Sequence, residues 1–555
     1  MRFLILLFSL FIFTLTAKAQ SVYAPLNKDY YHYIDRYEIL SSGLSEKFHS
    51  SVKAMRRKDI AGFVDSLQID SLNLSKADLF NLNYLKRDNW IWEKTALPPK
   101  KRKGFLNTFY KSPEDLYSVK TDGFILRVNP ALYFSAGKDF SNNKFLYINT
   151  RGAQISGLID GKVGFYAFAA DNQASFPSYV ADYIQIHQAV PEEGYTKPFK
   201  KGGYDFITAR GYITFSLIKH IQVQFGYDKN FIGDGYRSLI LSDFSSNYAF
   251  LKLNTHVWKL NYTNIFAQLN ADVFYLNKLL PKKYLAFHHL SANIGKHLNI
   301  GLFESVIISR GDSGKGAMDI SYLNPIIFYR SIEQQRGSQD NALLGLDFKL
   351  NFLRHFSFYG QLVLDEFLLK HIKAQDGWWA NKQAGQLGLK YINAGGVKNL
   401  DLQVETNIIR PYTYTHESKQ TAYTHYNHSL AHPLGANLYE LLGIIKYQPW
   451  GRLSFTGKFF HTVYGADDKN TNWGENLLLP YTTRQQTFNN KIGQGYRTTI
   501  NYLSLTGTWQ VAHNVFIDVS PVVRLQHSQL APMNKNDKFV TMALRWNVAQ
   551  RQLDF

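Results

Sequence analysis

Seven side chains within a short stretch offer the chemistry of saccharide recognition: Tyr227, Asp228, Lys229, Asp234, Tyr236, Arg237 and Asp243. Tyr rings can stack on the C–H faces of sugars, and the planar Arg fork suits the carboxylate of an acidic glycan. Gly226, Gly233 and Gly235 are interspersed and permit turns with positive φ. Asp228, Asp234 and Asp243 would hold Arg237 and Lys229 in place while no ligand is bound. The same residues also suit a loop that serves no ligand and is tied down by its own ion pairs.

Two other constellations invite chemistry and do not sustain it. His425, His428 and His432, with His416 nearby, have spacings that would bring imidazoles together on a helix. The intervening Tyr and Asn, and Pro433 directly after, favour an irregular polar loop instead. Gly311-Asp312-Ser313-Gly314 copies the tetrapeptide around a serine nucleophile, but no orienting His and Asp accompany it, and it reads as a turn. No catalytic residue, metal ligand or cofactor is assigned.

These residues need a scaffold. The chain has 555 residues, no Cys, 15% aromatic residues and a net charge of +19. That aromatic content excludes disorder, and the lack of Cys excludes a disulfide framework and thiolate metal sites. Arg2, an apolar run from Phe3 to Leu15 and Ala17-Lys18-Ala19 predict a secretory signal peptide over residues 1–19. No later run reaches the roughly 18–20 apolar residues of a spanning helix. Residues 20–120 read as a periplasmic, partly helical region. Ile60, Phe63, Val64 and Leu67 share one helical face, and 78–86 reads as a second helix. Pro98-Pro99 and the basic run at 100–103 read as a solvated linker. In an exported chain they do not signal nucleic acid.

From residue 121 to 555 the period is two. Leu402, Val404, Thr406 and Ile408 alternate with Asp401, Gln403, Glu405 and Asn407. Val540, Met542, Leu544, Trp546 and Val548 alternate with Phe539, Thr541, Ala543, Arg545 and Asn547. Ile221, Val223, Phe225 and Tyr227 alternate with His220, Gln222, Gln224 and Asp228. Such strands suit a soluble sandwich, or a barrel with lipid outside and a wet interior. Short turns are expected near 157–162, 218–220, 254–256, 295–299, 351–355, 394–399, 448–452 and 508–514. Longer polar, aromatic loops separate them, including 229–246, 411–437 and 464–495. Short turns at one end and long loops at the other mark a transmembrane antiparallel β-barrel of about 18 strands, with its long loops outside the cell. Tyr147, Tyr227, Trp258, Tyr359, Tyr391, Tyr447, Trp450 and Trp546 suit its interfacial girdles. The 225–244 segment would then gather its charges at the extracellular mouth.

Three segments carry a family resemblance: Asn149–Asp160, the 225–244 stretch, and Asn324-Pro325 with Asp340–Gly345. Together they resemble the Wzi-type capsule-assembly barrels, most of all the Bacteroidetes branch that includes the gliding-motility protein RemB. The resemblance covers roughly residues 120–550. It implies an 18-stranded outer-membrane barrel with periplasmic helices and a largely occluded lumen. It also implies a non-enzymatic role in capsule assembly or gliding motility, with surface polysaccharide or lipopolysaccharide and outer-membrane lipids as partners. A diffusion porin or transporter is the alternative, and a membrane-embedded hydrolase a more distant one. The cation excess fits an anionic glycan, and equally an anion pore.

Overall fold

The computed structural model describes residues 20–93, 114–271, 280–309, 320–326 and 340–555. The expected signal peptide, the 98–103 linker and the Gly311–Gly314 turn lie outside the described residues. Eighteen antiparallel strands close into one barrel. The first six are β1 Phe124–Asp139, β2 Phe145–Ile159, β3 Val163–Ser175, β4 Gly203–Ile218, β5 Ile221–Asp228 and β6 Tyr248–Val257. The next six are β7 Leu260–Asn270, β8 Lys282–Ile294, β9 Leu298–Ile308, β10 Asn341–Phe352, β11 Phe356–Glu366 and β12 Lys382–Tyr391. The last six are β13 Leu400–Ile409, β14 Leu438–Trp450, β15 Leu453–Ala466, β16 Tyr496–Ala512, β17 Val515–Ser528 and β18 Lys535–Trp546. β18 pairs with β1, from Trp546 opposite Leu132 to Phe539 opposite Asp139, and this seam leaves no open edge. Below it, Tyr117–Lys120, which the sequence places in the helical region, pairs with Ile125–Val128 of β1.

The expected alternation sets the faces. Val404 and Ile408 are exposed on the outside while Asp401, Glu405 and Asn407 are buried inside. On β18, Val540, Met542 and Leu544 point out, and Phe539, Ala543 and Arg545 point in. All eight short turns are present, though the one expected at 254–256 lies at Trp258-Lys259, because β6 continues to Val257. Trp258 and Trp450, 77% and 66% exposed, stand at strand ends as girdle residues should. Tyr359 does not. It is 1% exposed because it shares the inward parity of Ser357 and Gln361, and its hydroxyl donates to Glu405 (2.8 Å).

The short-turn end is closed by three helices: α1 Lys28–Leu40, α2 Arg57–Ser66 and α3 Lys76–Asp88. Asn27 caps α1 through its side chain, and Ser75 with Asp78 forms a reciprocal capping box on α3. The sequence pattern predicts α2 and α3 but misses α1. Ion pairs fasten α1 to inward residues of the wall. Lys349 of β10 meets Asp35 (3.0 Å) and Glu38 (2.6 Å), and Lys390 of β12 meets Asp35 (2.5 Å). Arg36 bridges Asp78 of α3 (2.8 Å) and Asp401 of β13 (2.5 Å). Charged side chains on the inner face of a membrane-spanning strand require such partners, since an unpaired buried charge is costly.

The interior is packed rather than wet, in keeping with the largely occluded lumen that the resemblance implies. Leu239, Ile240 and Leu241 join Tyr414, Tyr423, Leu430 and inward residues of the wall in a buried apolar cluster. A second cluster gathers Phe176, Tyr179 and Tyr236 with Phe460, Tyr502 and Phe555.

Candidate functional site

The 229–247 connection leaves the long-loop end of β5 and descends through the lumen. There Phe231 and Ile232 pair with Lys53 and Val52 of the N-terminal region in a two-residue antiparallel ladder. Gly233, at φ 146, makes the following bend, and a Cβ there would sit 2.4 Å from the Gln361 amide. Asp234 then reaches Ser50 (2.8 Å), and Lys390 donates to its carbonyl (2.7 Å). The backbone N–H groups of Tyr236 (2.7 Å) and Arg237 (3.1 Å) both donate to the Glu405 carboxylate. Leu239 N–H donates to Gln361 (2.7 Å). Inward residues of β11 and β13 thus hold the loop by its backbone and direct Tyr236 and Arg237 toward partners in the lumen.

Arg237 lies 5% exposed between two carboxylates, Glu440 of β14 (3.2 Å) and Asp554 (3.4 Å). Burial opposes its charge. The Glu440 and Asp554 carboxylates outweigh that and hold its pKa above the ordinary arginine value. The Tyr236 hydroxyl contacts Gln552 (2.8 Å) and Asp554, and Lys458 of β15 approaches both Tyr236 (2.9 Å) and Asp554 (2.8 Å). The guanidinium also stacks over Phe460 at 5.1 Å.

The seven sequence candidates are therefore dispersed. Asp234, Tyr236 and Arg237 lie in the lumen and not at the extracellular mouth, because the loop turns inward along the polar wall. Tyr227 points outward, 40% exposed, following the strand parity of β5. Asp228 accepts from the Lys229 N–H (2.9 Å) at the strand end. Lys229 donates to the carbonyls of Glu192 (2.5 Å) and Asp243 (2.9 Å), so Asp243 serves it through its backbone. The carboxylates that hold Arg237 are Glu440 and Asp554, not Asp228, Asp234 or Asp243. Sequence reasoning missed Glu440, Lys458, Arg524 and Asp554. For Glu440, Lys458 and Arg524 the available signal was an ionisable residue at an inward position of a membrane-spanning strand; Asp554 follows the last strand and offered none.

The histidine loop also enters the lumen, where its residues are largely buried. His416 meets Thr421 (2.8 Å), His425 accepts from Asn270 N–H (2.9 Å), His428 meets Tyr183 (2.8 Å) and His432 meets Glu440 (2.9 Å). Burial pushes His416 down to about 4 and His425 to about 3. The four imidazoles face four different partners and pin the loop in place.

Of the chambers left in the packed lumen, two adjoin the cluster of Tyr236, Lys458 and Asp554. One of about 140 Å³ lies between α1, the 231–243 loop and the inner wall of β12–β18, with Asp29, Lys53, Asp401, Lys446, Lys458 and Arg545 in its lining. The other, about 90 Å³, follows β16–β18 and β1–β3 from Asp518 to Tyr147 and Phe176 at the long-loop end. Lys458, Gln550 and Gln552 belong to both, so the 550–552 segment is the partition between them.

No family model matches the sequence, and no curated protein does. Among solved structures, the chain is similar to Wzi, an outer membrane protein involved in group 1 capsule assembly in Escherichia coli and described as a carbohydrate-binding β-barrel. The TM-score is 0.59 at 12% identity, over 95% of this chain and 100% of that one. OprD of Pseudomonas aeruginosa covers 78% of this chain and 95% of its own, at 10% identity and a TM-score of 0.41, a likeness too slight to bear on function. An 18-stranded wall, helices at the short-turn end and agreement along nearly the whole chain give this protein the fold of the Wzi-type outer-membrane barrel.

Proposed function

We propose that this protein is a non-enzymatic outer-membrane barrel that binds surface polysaccharide and serves its attachment to the cell, in capsule assembly or in the gliding branch of that role. Its long loops face outward and its helices the periplasm. The observation that carries the reading is the filled lumen. Leu239, Tyr414, Tyr423 and Leu430 are 0% exposed inside a barrel wide enough to conduct, and α1 is ion-paired to the wall at the other end. A diffusion porin would keep a continuous aqueous path there. Likeness to the carbohydrate-binding Wzi barrel supports the glycan as the partner, and the cation excess supports an acidic one.

A deletion strain complemented with the intact gene tests the reading, scored for surface-retained glycan and for spreading. Loss of retained glycan or of spreading, restored by the gene, is expected. Large steady single-channel conductance from the purified protein would favour the porin. Tags inserted at Lys469-Asn470 should be reachable on intact cells and tags at Leu353-Arg354 should not; the reverse would invert the orientation.

A further inference from the structure

The segment following β18 does not trail into solvent. Residues 548–555 make no backbone–backbone hydrogen bond among the described residues, yet Leu553, Asp554 and Phe555 lie deep in the lumen. What holds them is a ring of donors. Tyr179 donates its hydroxyl to the Leu553 carbonyl (2.5 Å), and Arg237 donates to the Asp554 carbonyl (2.6 Å) and carboxylate (3.4 Å). Lys458 and the Tyr236 hydroxyl take the other carboxylate oxygen, and Arg524 donates Nε to the Phe555 carbonyl (2.9 Å). Arg524 is 3% exposed, and its Nη1 has no partner among the described residues. Glu440 fixes Arg237 from the opposite side (3.2 Å), which keeps the guanidinium aimed at Asp554. Rings line the same place: Phe460 and Tyr502 stack at 5.4 Å, Tyr236 packs on Phe460 at 5.6 Å, and Arg524 lies 4.6 Å over Tyr179.

Three cations, two phenolic hydroxyls and flat aromatic walls converge on one carboxylate and a row of carbonyl oxygens. That donor set is what a uronic-acid residue requires, with the fork and ammonium for its carboxylate and the rings for its C–H face. The chamber that opens toward Tyr147 and Phe176 at the long-loop end has Leu553 and Asp554 in its wall, so it reaches this place. Resting on the glycan-binding reading above, we propose that residues 552–555 occupy the site of a carboxylate-bearing saccharide in the free protein, with Asp554 standing where the sugar carboxylate binds. An acidic glycan entering from the long-loop end displaces the segment. Arg551, paired with Glu193 (3.1 Å), stays behind as the anchor. Because strand pairing is absent from the segment, displacement exchanges side-chain contacts and leaves the wall intact.

An intramolecular occupant lowers apparent affinity by the fraction of time the site is free, so evicting it should reveal the intrinsic affinity. The test is calorimetric titration of the purified full chain, an Asp554→Asn variant and a chain lacking residues 553–555. Tetragalacturonate and neutral maltotetraose are the probes, and heat-modifiable migration on gels is the check of folding. Both altered chains should bind tetragalacturonate about tenfold or more tighter than the full chain, with no gain for maltotetraose. Adding Arg237→Gln to Asp554→Asn should abolish the gain. A folded Asp554→Asn protein that binds the acidic glycan no tighter than the full chain, or that gains equally for the neutral one, overturns the proposal; this isosteric variant decides if the shortened chain does not fold. Binding by purified protein is separate from glycan retention by cells: loss of retention in the deletion strain without a gain for Asp554→Asn fails this proposal alone, and a gain with retention unchanged in that strain fails only the cellular role.

Discussion

The outer face of the wall and the matter inside it obey different rules. Outside, every second residue meets one uniform environment, and Phe225, Val404, Leu503 and Met542 are interchangeable in kind. Inside, Lys349, Gln361, Glu405 and Glu440 each meet a specific partner from elsewhere in the chain. The outer face is defined by period, the interior by address. A substitution outside should therefore be judged by its polarity, and one inside by which partner it strands.

The sharpest contrast lies in Lys349→Ala. It strips Glu38 of its cation and weakens the hold on Asp35, and stranding buried charge costs about 3–5 kcal/mol. Chemical unfolding should show that loss, together with protease access to the α1–α3 region. Val404→Arg on the outer face should cost roughly 2–4 kcal/mol at the bilayer midplane, whereas Gln403→Arg, facing the 140 Å³ chamber, should assemble normally. Heat-modifiable migration reports both, and the opposite result would place the register one residue off. Gly233→Ala places a side chain where φ is 146 and Gln361 is close, for roughly 1–3 kcal/mol, read from the same unfolding curves. The smallest effect is a pH dependence. Burial lowers Lys53 from 10.5 to about 8, so the unfolded chain holds its proton more tightly than the folded one. Its contribution to stability is present above about pH 10.5 and is lost as pH falls through about 8. Lys53→Met should flatten that slope.

The same division explains what the sequence discloses. Strand count, faces and most turns follow from period two and from turn spacing, which are local. Tyr359 deceives because an aromatic near a strand end fits a girdle and a lumen equally well, and parity alone separates them. The 229–247 and 411–437 loops look like solvent-facing loops because polar and aromatic residues suit both water and a polar, enclosed lumen. Nothing local distinguishes a loop that reaches outward from one that folds back. Arg237 is recognisable as a carboxylate-binding residue, but its partner Asp554 lies 317 positions away, in a segment without strand alternation. The α1 helix escapes notice because Tyr30, Tyr31 and Tyr37 face its packing side, and tyrosine gives no clear apolar period.

The seam between β1 and β18 has a consequence for the order of events in folding. The contents of the barrel come from the beginning, the middle and the end of the described chain. They are joined to the wall across separations such as 365 positions for Arg36 with Asp401 and 417 for Asp29 with Lys446. Once Phe539 lies opposite Asp139, the wall has no lateral gap, and the α1–α3 region and the 229–247 loop can reach their partners only through the two ends of the barrel. Seating the contents through those ends is then a step of its own, joining stretches remote in sequence. Contacts so remote in sequence make that step slow. An unzipped intermediate would display, at one time, an open sheet edge and a half-assembled set of buried charges, so its lifetime depends on how quickly the seam closes.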